Sequence, residues 1–246
     1  MPPLDAENRA QFRYNRRVIH TTPSKVDATG TGLPEGLAAV YMCSGLTAFA
    51  ALKTLGTPPR GAQDVLILGL GGLGQQGVGL AKAMFGGNCL AADIKPEALA
   101  LAESSGATVF NSKDKDAIAK IKAAAGGRGV YGVIDFVGSK QTHAFARSCV
   151  RKGGTVVAVG LFGGSMEGMH ANLPYMIVTS TAVCGTLTGS LGEVHEMFDL
   201  LRETKVPVPK HQFTSIMNAN QALKDMHDGK VTGRTILKHD WPEAKM

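Results

Sequence analysis

The stretch Val65-Leu66-Ile67-Leu68-Gly69-Leu70-Gly71-Gly72-Leu73-Gly74 decides the fold of this chain. Its first four residues are all apolar, which predicts a strand buried on both faces of a sheet. Its last six match the pattern G-x-G-x-x-G, and a helix is expected to begin near Gln75. Glycines at these positions permit a tight turn, close approach of a pyrophosphate and packing of the helix on the strand. We therefore predict a dinucleotide-binding turn with the phosphates at the helix N-terminus.

Short apolar runs alternate with amphipathic stretches from residue 64 to residue 185. Strands are predicted at 65–68, 89–92, 107–110, 132–137, 155–159 and 178–184, and helices at 75–85, 97–104, 115–125 and 141–149. Apolar strands joined by helices predict an α/β fold, a doubly wound parallel (Rossmann) sheet. Beyond this unit we predict helices at 37–55, 192–204 and 219–228, the last capped by Asn218, and strands near 211–216 and at 235–238.

Asp93 stands 93 − 74 = 19 residues beyond the last glycine, at the end of the second predicted strand. A carboxylate there accepts both hydrogen bonds from the adenosine ribose diol and repels the 2′-phosphate of NADP. We therefore predict NAD rather than NADP as the cofactor. The neighbouring cation of Lys95 weakens this preference for NAD over NADP. The alternative is that Asp93 is a surface residue without function.

The composition, 44% hydrophobic and 19% charged over 246 residues, predicts a globular protein with a sizeable core. Lysine and arginine are scattered, so the net charge of +6 indicates a solvated basic surface and no nucleic-acid partner. No uninterrupted apolar run approaches the about 20 residues of a membrane span, and residues 1–17 contain no apolar signal core. We expect a cytoplasmic protein without a membrane partner. Its four cysteines form no C-x-x-C pair, which excludes a zinc ribbon and a thioredoxin-type motif.

Five segments, in this order and spacing, resemble the cofactor-binding half of the medium-chain, zinc-type alcohol dehydrogenase family. They are 42–48 (MCSGLTA), the glycine loop with Asp93, 135–139 (DFVGS), 153–161 (GGTVVAVGL) and 229–237 (GKVTGRTIL). The resemblance covers most of residues 35–240. It implies oxidation of an alcohol to an aldehyde or ketone with hydride transfer to NAD, a small-molecule alcohol or carbonyl substrate, and a homodimer or homotetramer.

The resemblance also implies roles for single residues. Val137 would pack on the cofactor, and the turn at Val159, Gly160 and Leu161 would hold the nicotinamide carboxamide. The remaining assignments are main-chain contacts of Thr186 and Thr188 near the nicotinamide, a place for Thr47 beside it, and a contact of Arg234 with the pyrophosphate. Arginine suits that contact because its charged, forked side chain matches phosphate oxygens.

Cys43 matches the family's third protein ligand of a catalytic zinc, where the metal would stabilise the substrate as an alkoxide. From the residues alone, Cys43 reads as a buried thiol in an apolar helix. The family's other ligand segments do not occur here, because there is no Gly-His-Glu and no cysteine before Cys43. His20 is the only histidine before the glycine loop. We predict little or no zinc in this chain by itself, and one zinc per subunit in a metal analysis would contradict that.

We interpret residues 1–45 as a remnant of a catalytic domain and the start of a connecting helix. Residues 46–187 would be the NAD-binding domain, and residues 188–246 a segment returning to the catalytic domain. The predicted function is an NAD-dependent, zinc-dependent alcohol dehydrogenase, present here as a truncated chain. Two alternatives stay open: a non-catalytic dinucleotide-binding fragment and a zinc-free quinone or enoyl reductase of the same superfamily. The reductases usually use NADPH, so Asp93 and Cys43 count against them.

Overall fold

A six-stranded parallel sheet is the centre of the computed structural model, which describes residues 33, 36–56, 64–86, 88–161, 163 and 173–238. The strand order is β3-β2-β1-β4-β5-β6. The strands are β1 Val65–Leu68, β2 Cys89–Asp93, β3 Thr108–Asn111, β4 Val130–Asp135, β5 Val150–Ala158 and β6 Ala182–Gly185. The predicted doubly wound α/β sheet is confirmed, and the order reverses between β1 and β4.

Strand β1 lies in the middle of this sheet, and all four of its residues are buried. Val65 is aligned with Cys89 of β2 on one side and with Gly132 of β4 on the other. Leu68 in turn is aligned with Ala92 and Asp135, so these strands end at one level. The chain leaves β1 and β4 in opposite directions, which opens a crevice at their carboxyl ends.

The helices cover both faces of the sheet. They are α1 Leu37–Thr54, α2 Gly72–Phe85, α3 Pro96–Ser104, α4 Ala117–Ala124, α5 Lys140–Cys149, α6 Leu173–Thr179, α7 Leu191–Glu203 and α8 Ala219–His227. A 3₁₀ turn, Ile216–Asn218, precedes α8, and a second parallel sheet pairs β7 His211–Ser215 with β8 Arg234–Lys238. The elements predicted from the sequence are present, with most boundaries shifted by a few residues.

Helix α1 differs from the ordinary α-helix predicted for residues 37–55. Its middle turn, Tyr41–Gly45, is a π turn, and α-helical geometry resumes at Leu46. By length and composition alone it could cross a membrane, which the sequence argument did not anticipate. Within the protein 72% of it is buried, as in the core helix of a globular domain.

Alternate residues of the strands supply two hydrophobic cores, one on each face of the sheet. Ile67 lies in the core that also contains Leu52 of α1, Leu80 of α2 and Phe198 of α7. Leu66 and Leu68 lie in the other core, with Ile121 of α4 and Ala146 of α5. This period of two is the geometry of an extended strand covered on both sides.

Three details of the predicted boundaries were wrong. Val178 and Thr179 belong to α6, whose last residue bonds through Thr179 Oγ1 to the carbonyl of Tyr175, four residues earlier, at 2.6 Å. The chain then turns at Ser180, with φ of 51°, before β6 begins. Helix α2 begins at Gly72, so the last three loop residues form its first turn. Asn218 does not cap α8 with its side chain, which donates to Thr214 Oγ1 at 3.3 Å.

Candidate functional site

A cleft of about 540 Å³ lies at the carboxyl ends of β1, β2, β4 and β5. Most residues assigned from the sequence to a cofactor site line this one cleft. They are Thr47, Gly69, Gly71, Gly72, Leu73, Gly74, Asp93, Val137, Val159, Gly160 and Leu161. The same wall includes Phe136, Gly163 and Leu187, which the sequence argument did not single out.

The glycine loop has the backbone geometry that its sequence predicted. Gly69 has φ of +86°, and a Cβ at this position would lie 2.5 Å from Cγ2 of Val137. A Cβ on Gly74 would collide with the carbonyl oxygen of Gly69, so α2 packs directly on the turn. Gly71 faces open space on its Cβ side. The first turn of α2 thus presents backbone N–H groups that have no partner within the helix.

Arg234, the first residue of β8, reaches the loop from the second sheet. A Cβ on Gly72 would lie 2.5 Å from both Nε and Cζ of Arg234, so the guanidinium lies directly against Gly72. Its Nε and Nη2 atoms are buried and have no hydrogen-bond partner in the described part of the chain. Burial lowers the pKa of this guanidinium, while the nearby Cys43 raises it. Buried, unpaired donors of a cation favour an anionic ligand at this position.

Asp93 ends β2 at the rim of the cleft, where its carboxylate is bound by backbone amides. Oδ2 accepts from the N–H of Leu70 in the glycine loop at 2.6 Å. Oδ1 accepts from Ile94 at 2.6 Å and from Lys95 at 2.9 Å. A carboxylate has about four acceptor positions, so it retains capacity for a ribose hydroxyl. Lys95 is exposed and lies outside the cleft lining.

The turn after β4 approaches the turn after β5 closely. A Cβ on Gly138 or on Gly160 would collide with the backbone of the other turn. Buried Asp135 fixes this arrangement: its Oδ1 accepts from the N–H groups of Val137 at 2.9 Å and Gly138 at 3.0 Å. Its main-chain carbonyl accepts from Val159 at 2.9 Å. No role was predicted for Asp135 from the sequence, although an aspartate that ends an apolar strand before a glycine turn is a usable signal.

Thr47 reaches the cleft wall from α1. Its Oγ1 donates to the carbonyl of Cys43 at 2.8 Å and lies 3.4 Å from Oγ1 of Thr188. Thr186 Oγ1 lies 3.2 Å from Oγ1 of Thr54, at the end of α1. The side chains of Thr186 and Thr188 therefore contact α1, whereas Leu187 between them lines the cleft. The predicted main-chain contacts of the two threonines stay predictions.

The donor set around Cys43 does not fit a zinc ion. Cys43 is exposed on the π turn, and among the described residues no three His, Cys, Asp or Glu side chains form a metal-binding group. His20 lies outside the described residues. Burial raises the pKa of Cys89 and Cys149 to about 12, and Cys184 is partly exposed with a raised pKa.

Known proteins resemble this chain in sequence. The family described as "Zinc-binding dehydrogenase" matches residues 72–203. An NAD-dependent alcohol dehydrogenase of Sulfolobus acidocaldarius is 35% identical over 208 residues, which are 84% of this chain and 58% of that protein.

Solved structures resemble the chain in fold. The alcohol dehydrogenase of the hyperthermophilic archaeon Aeropyrum pernix has a TM-score of 0.71 at 32% identity, over 82% of this chain and 57% of its own. The acetophenone reductase of Geotrichum candidum, solved in complex with NAD, has a TM-score of 0.68 at 26% identity, over 85% of this chain and 57% of its own. The chain thus spans less than two thirds of the length of each of these relatives.

Proposed function

Because the chain belongs to the zinc-binding dehydrogenase family, we propose that it binds NAD in the cleft and forms the cofactor-binding part of an NAD-dependent alcohol dehydrogenase. The proposal rests above all on Arg234, whose buried Nε and Nη2 lie against Gly72 and have no hydrogen-bond partner among the described residues. A dinucleotide pyrophosphate would supply the missing acceptors there, and it would also meet the N–H groups and positive dipole end of α2.

Each part of NAD has matching residues in this cleft. The first turn of α2 and Arg234 would hold the pyrophosphate, and Asp93 would accept from the adenosine ribose. Thr47 and the turn at Val159 to Leu161 would face the nicotinamide. When bound, the cofactor supplies the hydride acceptor for oxidation of an alcohol. The chain's own residues bind and orient it, and Val137 and Leu187 contribute apolar side chains to the cleft wall.

Zinc dependence has less support from the described residues than NAD binding has. The described donor set around Cys43 does not fit a zinc ion, so no chemical step is assigned to a metal here. We propose zinc only for the activity of the whole enzyme, in keeping with the family's description. The low zinc content expected of this chain stays a prediction.

The experiment that tests NAD binding is a titration of the chain with NADH, followed by nicotinamide fluorescence. Arg234→Gln should raise the Kd about 10- to 100-fold, because it removes hydrogen bonds from a charged group. Arg151→Gln is the matched control. Within the described part of the chain Arg151 also has a buried Nε without a hydrogen-bond partner, and it stacks on the ring of Tyr131. It lies at the opposite end of β5 from the cleft.

The control should leave the Kd for NADH unchanged. A wild-type chain that does not bind NADH would contradict the proposal, and equal effects of the two substitutions would contradict the role of Arg234. Turnover with NAD and a panel of primary and secondary alcohols is measured separately, since binding and catalysis are distinct parts of the proposed activity.

A further inference from the structure

The π turn of α1 ends two residues before Thr47, the residue that α1 contributes to the cleft wall. The hydroxyl of Thr47 donates to the carbonyl of Cys43, which lies inside the π turn. Single π turns within α-helices are rare and frequently occur at functional sites. The place of Thr47 in the cleft therefore depends on whatever holds this turn.

Gln76, in the second turn of α2, contacts the π turn directly. Its Nε2 donates to Oγ of Ser44, and Ser44 Oγ donates to the carbonyl of Val40 at 2.9 Å. A Cβ on Gly45 would lie 2.8 Å from Oε1 of Gln76, so the amide fits closely against the turn. The helix that would bind the pyrophosphate is thereby bonded to the helix segment that places Thr47.

Folding stability alone does not account for glutamine at this position. Gln76 is only 3% exposed, and its Oε1 has no hydrogen-bond partner among the described residues. A buried acceptor without a partner opposes folding, whereas an apolar side chain of similar shape does not. Its neighbours in α2, Val78 and Leu80, are fully buried core residues. An apolar residue would suit such surroundings better, so the useful part of Gln76 is its N–H donor to Ser44.

We propose that Gln76 is a positioning residue: its amide holds the π turn through Ser44 and so sets Thr47 against the nicotinamide end of the cleft. This inference rests on the proposed binding of NAD. It gives α2 two functions, because its first turn, together with Arg234 of β8, serves the pyrophosphate whereas Gln76 serves the nicotinamide end of the cofactor.

The test uses Gln76→Met, which keeps the length of the side chain and removes the donor. Binding of NADH is compared with binding of ADP-ribose, which has the pyrophosphate and adenosine but no nicotinamide. We expect the Kd for NADH to rise about 3- to 10-fold, the effect of one neutral hydrogen bond, and the Kd for ADP-ribose to stay within about twofold. The thermal midpoint should stay the same or rise, because a buried unpaired oxygen is removed.

Ser44→Ala removes the same bond from the other side, and the double variant should be no weaker for NADH than Gln76→Met alone. Ser148→Ala is the control: Ser148 Oγ also bonds four residues back, to Ala144 at 2.9 Å, but it is exposed on α5. Equal losses for both ligands, an unchanged Kd for NADH, or a lower midpoint without a change in binding would each overturn the positioning role. If the wild-type chain binds neither ligand, NAD binding and the role of Gln76 are both refuted.

Discussion

The carboxylate of Asp93 is proposed to bind the adenosine ribose and also binds the protein backbone. It accepts from the N–H of Leu70 in the glycine loop and from the N–H groups of Ile94 and Lys95, the two residues after Asp93. The residue proposed to select the ribose therefore also holds the loop that would bind the pyrophosphate. A substitution meant to change cofactor preference must keep an acceptor at residue 93 for the N–H of Leu70, because otherwise it would also displace the loop.

Asp93→Asn keeps one carbonyl acceptor and removes the negative charge. We expect the preference for NADH over NADPH to fall at least about tenfold, because repulsion of the 2′-phosphate is lost. Titrations with both cofactors measure the ratio of their Kd values. Asp64→Asn makes the same charge change just before β1, at the amino ends of the strands and outside the cleft lining, and should leave the ratio unaltered. An unchanged ratio in Asp93→Asn would refute the assigned role.

Local spacing in the sequence predicted some of these residues and could not predict others. The glycines and Asp93 follow from a strand, a turn and a fixed interval along the chain. Arg234 lies 234 − 72 = 162 residues beyond Gly72, and its assignment came only from the family resemblance. Gln76 has no sequence signal of its own, because its contact with Ser44 exists only once α1 packs on α2.

At the scale of elements, side-chain hydrogen bonds hold the connection from β4 to α5 at the cleft. Ser139 and Thr142 form a reciprocal cap on α5: Ser139 Oγ accepts from the N–H of Thr142 at 3.1 Å, and Thr142 Oγ1 accepts from the N–H of Ser139 at 3.0 Å. Thr142 Oγ1 also donates to Oδ2 of buried Asp135 at 2.9 Å. One hydroxyl thus joins the helix cap to the carboxylate that fixes the cleft turn at Val137.

Thr142→Val removes that hydroxyl at nearly constant shape. We expect the free energy of unfolding to fall by about 2–3 kcal/mol, because a buried carboxylate oxygen and a helix-end N–H lose their partners. Urea unfolding measures the change. Thr108→Val, at an exposed position of β3, should change stability by less than about 0.5 kcal/mol. A similarly small change in Thr142→Val would show that Asp135 does not depend on this hydroxyl.

The elements predicted best are those whose pattern is decided locally. Strand β1 has the predicted bounds because its four apolar residues are all buried and the glycine loop follows directly. Segment 178–184 was assigned to a strand as the last short apolar run of the series, yet Val178 and Thr179 complete α6. Intrinsic strand preference is weak, and neighbouring helical hydrogen bonds outweigh it there. The π turn of α1 has no sequence signature and depends on packing against α2.

On the scale of the whole molecule, one core joins parts that were assigned to different domains. Leu37 of α1, Phe198 of α7 and Ile236 of β8 lie in the same core as Ile67 of the central sheet. The domain boundaries after residues 45 and 187 stay a prediction. Arg234 reaches Gly72 from the strand that contributes Ile236 to this core, so packing of the second sheet on α1 also determines the geometry of the cleft.

Strand β6 forms one edge of the six-stranded sheet, and this edge bears on whether the chain forms an oligomer. In the described structure β6 pairs only with β5. Large apolar side chains next to this edge are exposed, with Ile177 at 75%, Val178 at 74% and Leu187 at 73%. An unpaired strand with apolar neighbours is a template for pairing with another chain. We therefore expect a homodimer or homotetramer in which β6 pairs with β6 of a second copy.

Ala182→Lys tests this arrangement because Ala182 is exposed at the start of β6. A lysine there would place a cation from each copy at the paired edge, and the dissociation constant of the assembly should rise at least about tenfold. Sedimentation velocity over a concentration series measures this change. Ala100→Lys, at an exposed position of α3, should leave the assembly intact. A wild-type chain that sediments as a monomer would refute the oligomer, while an unaffected Ala182→Lys assembly would place the interface elsewhere than β6.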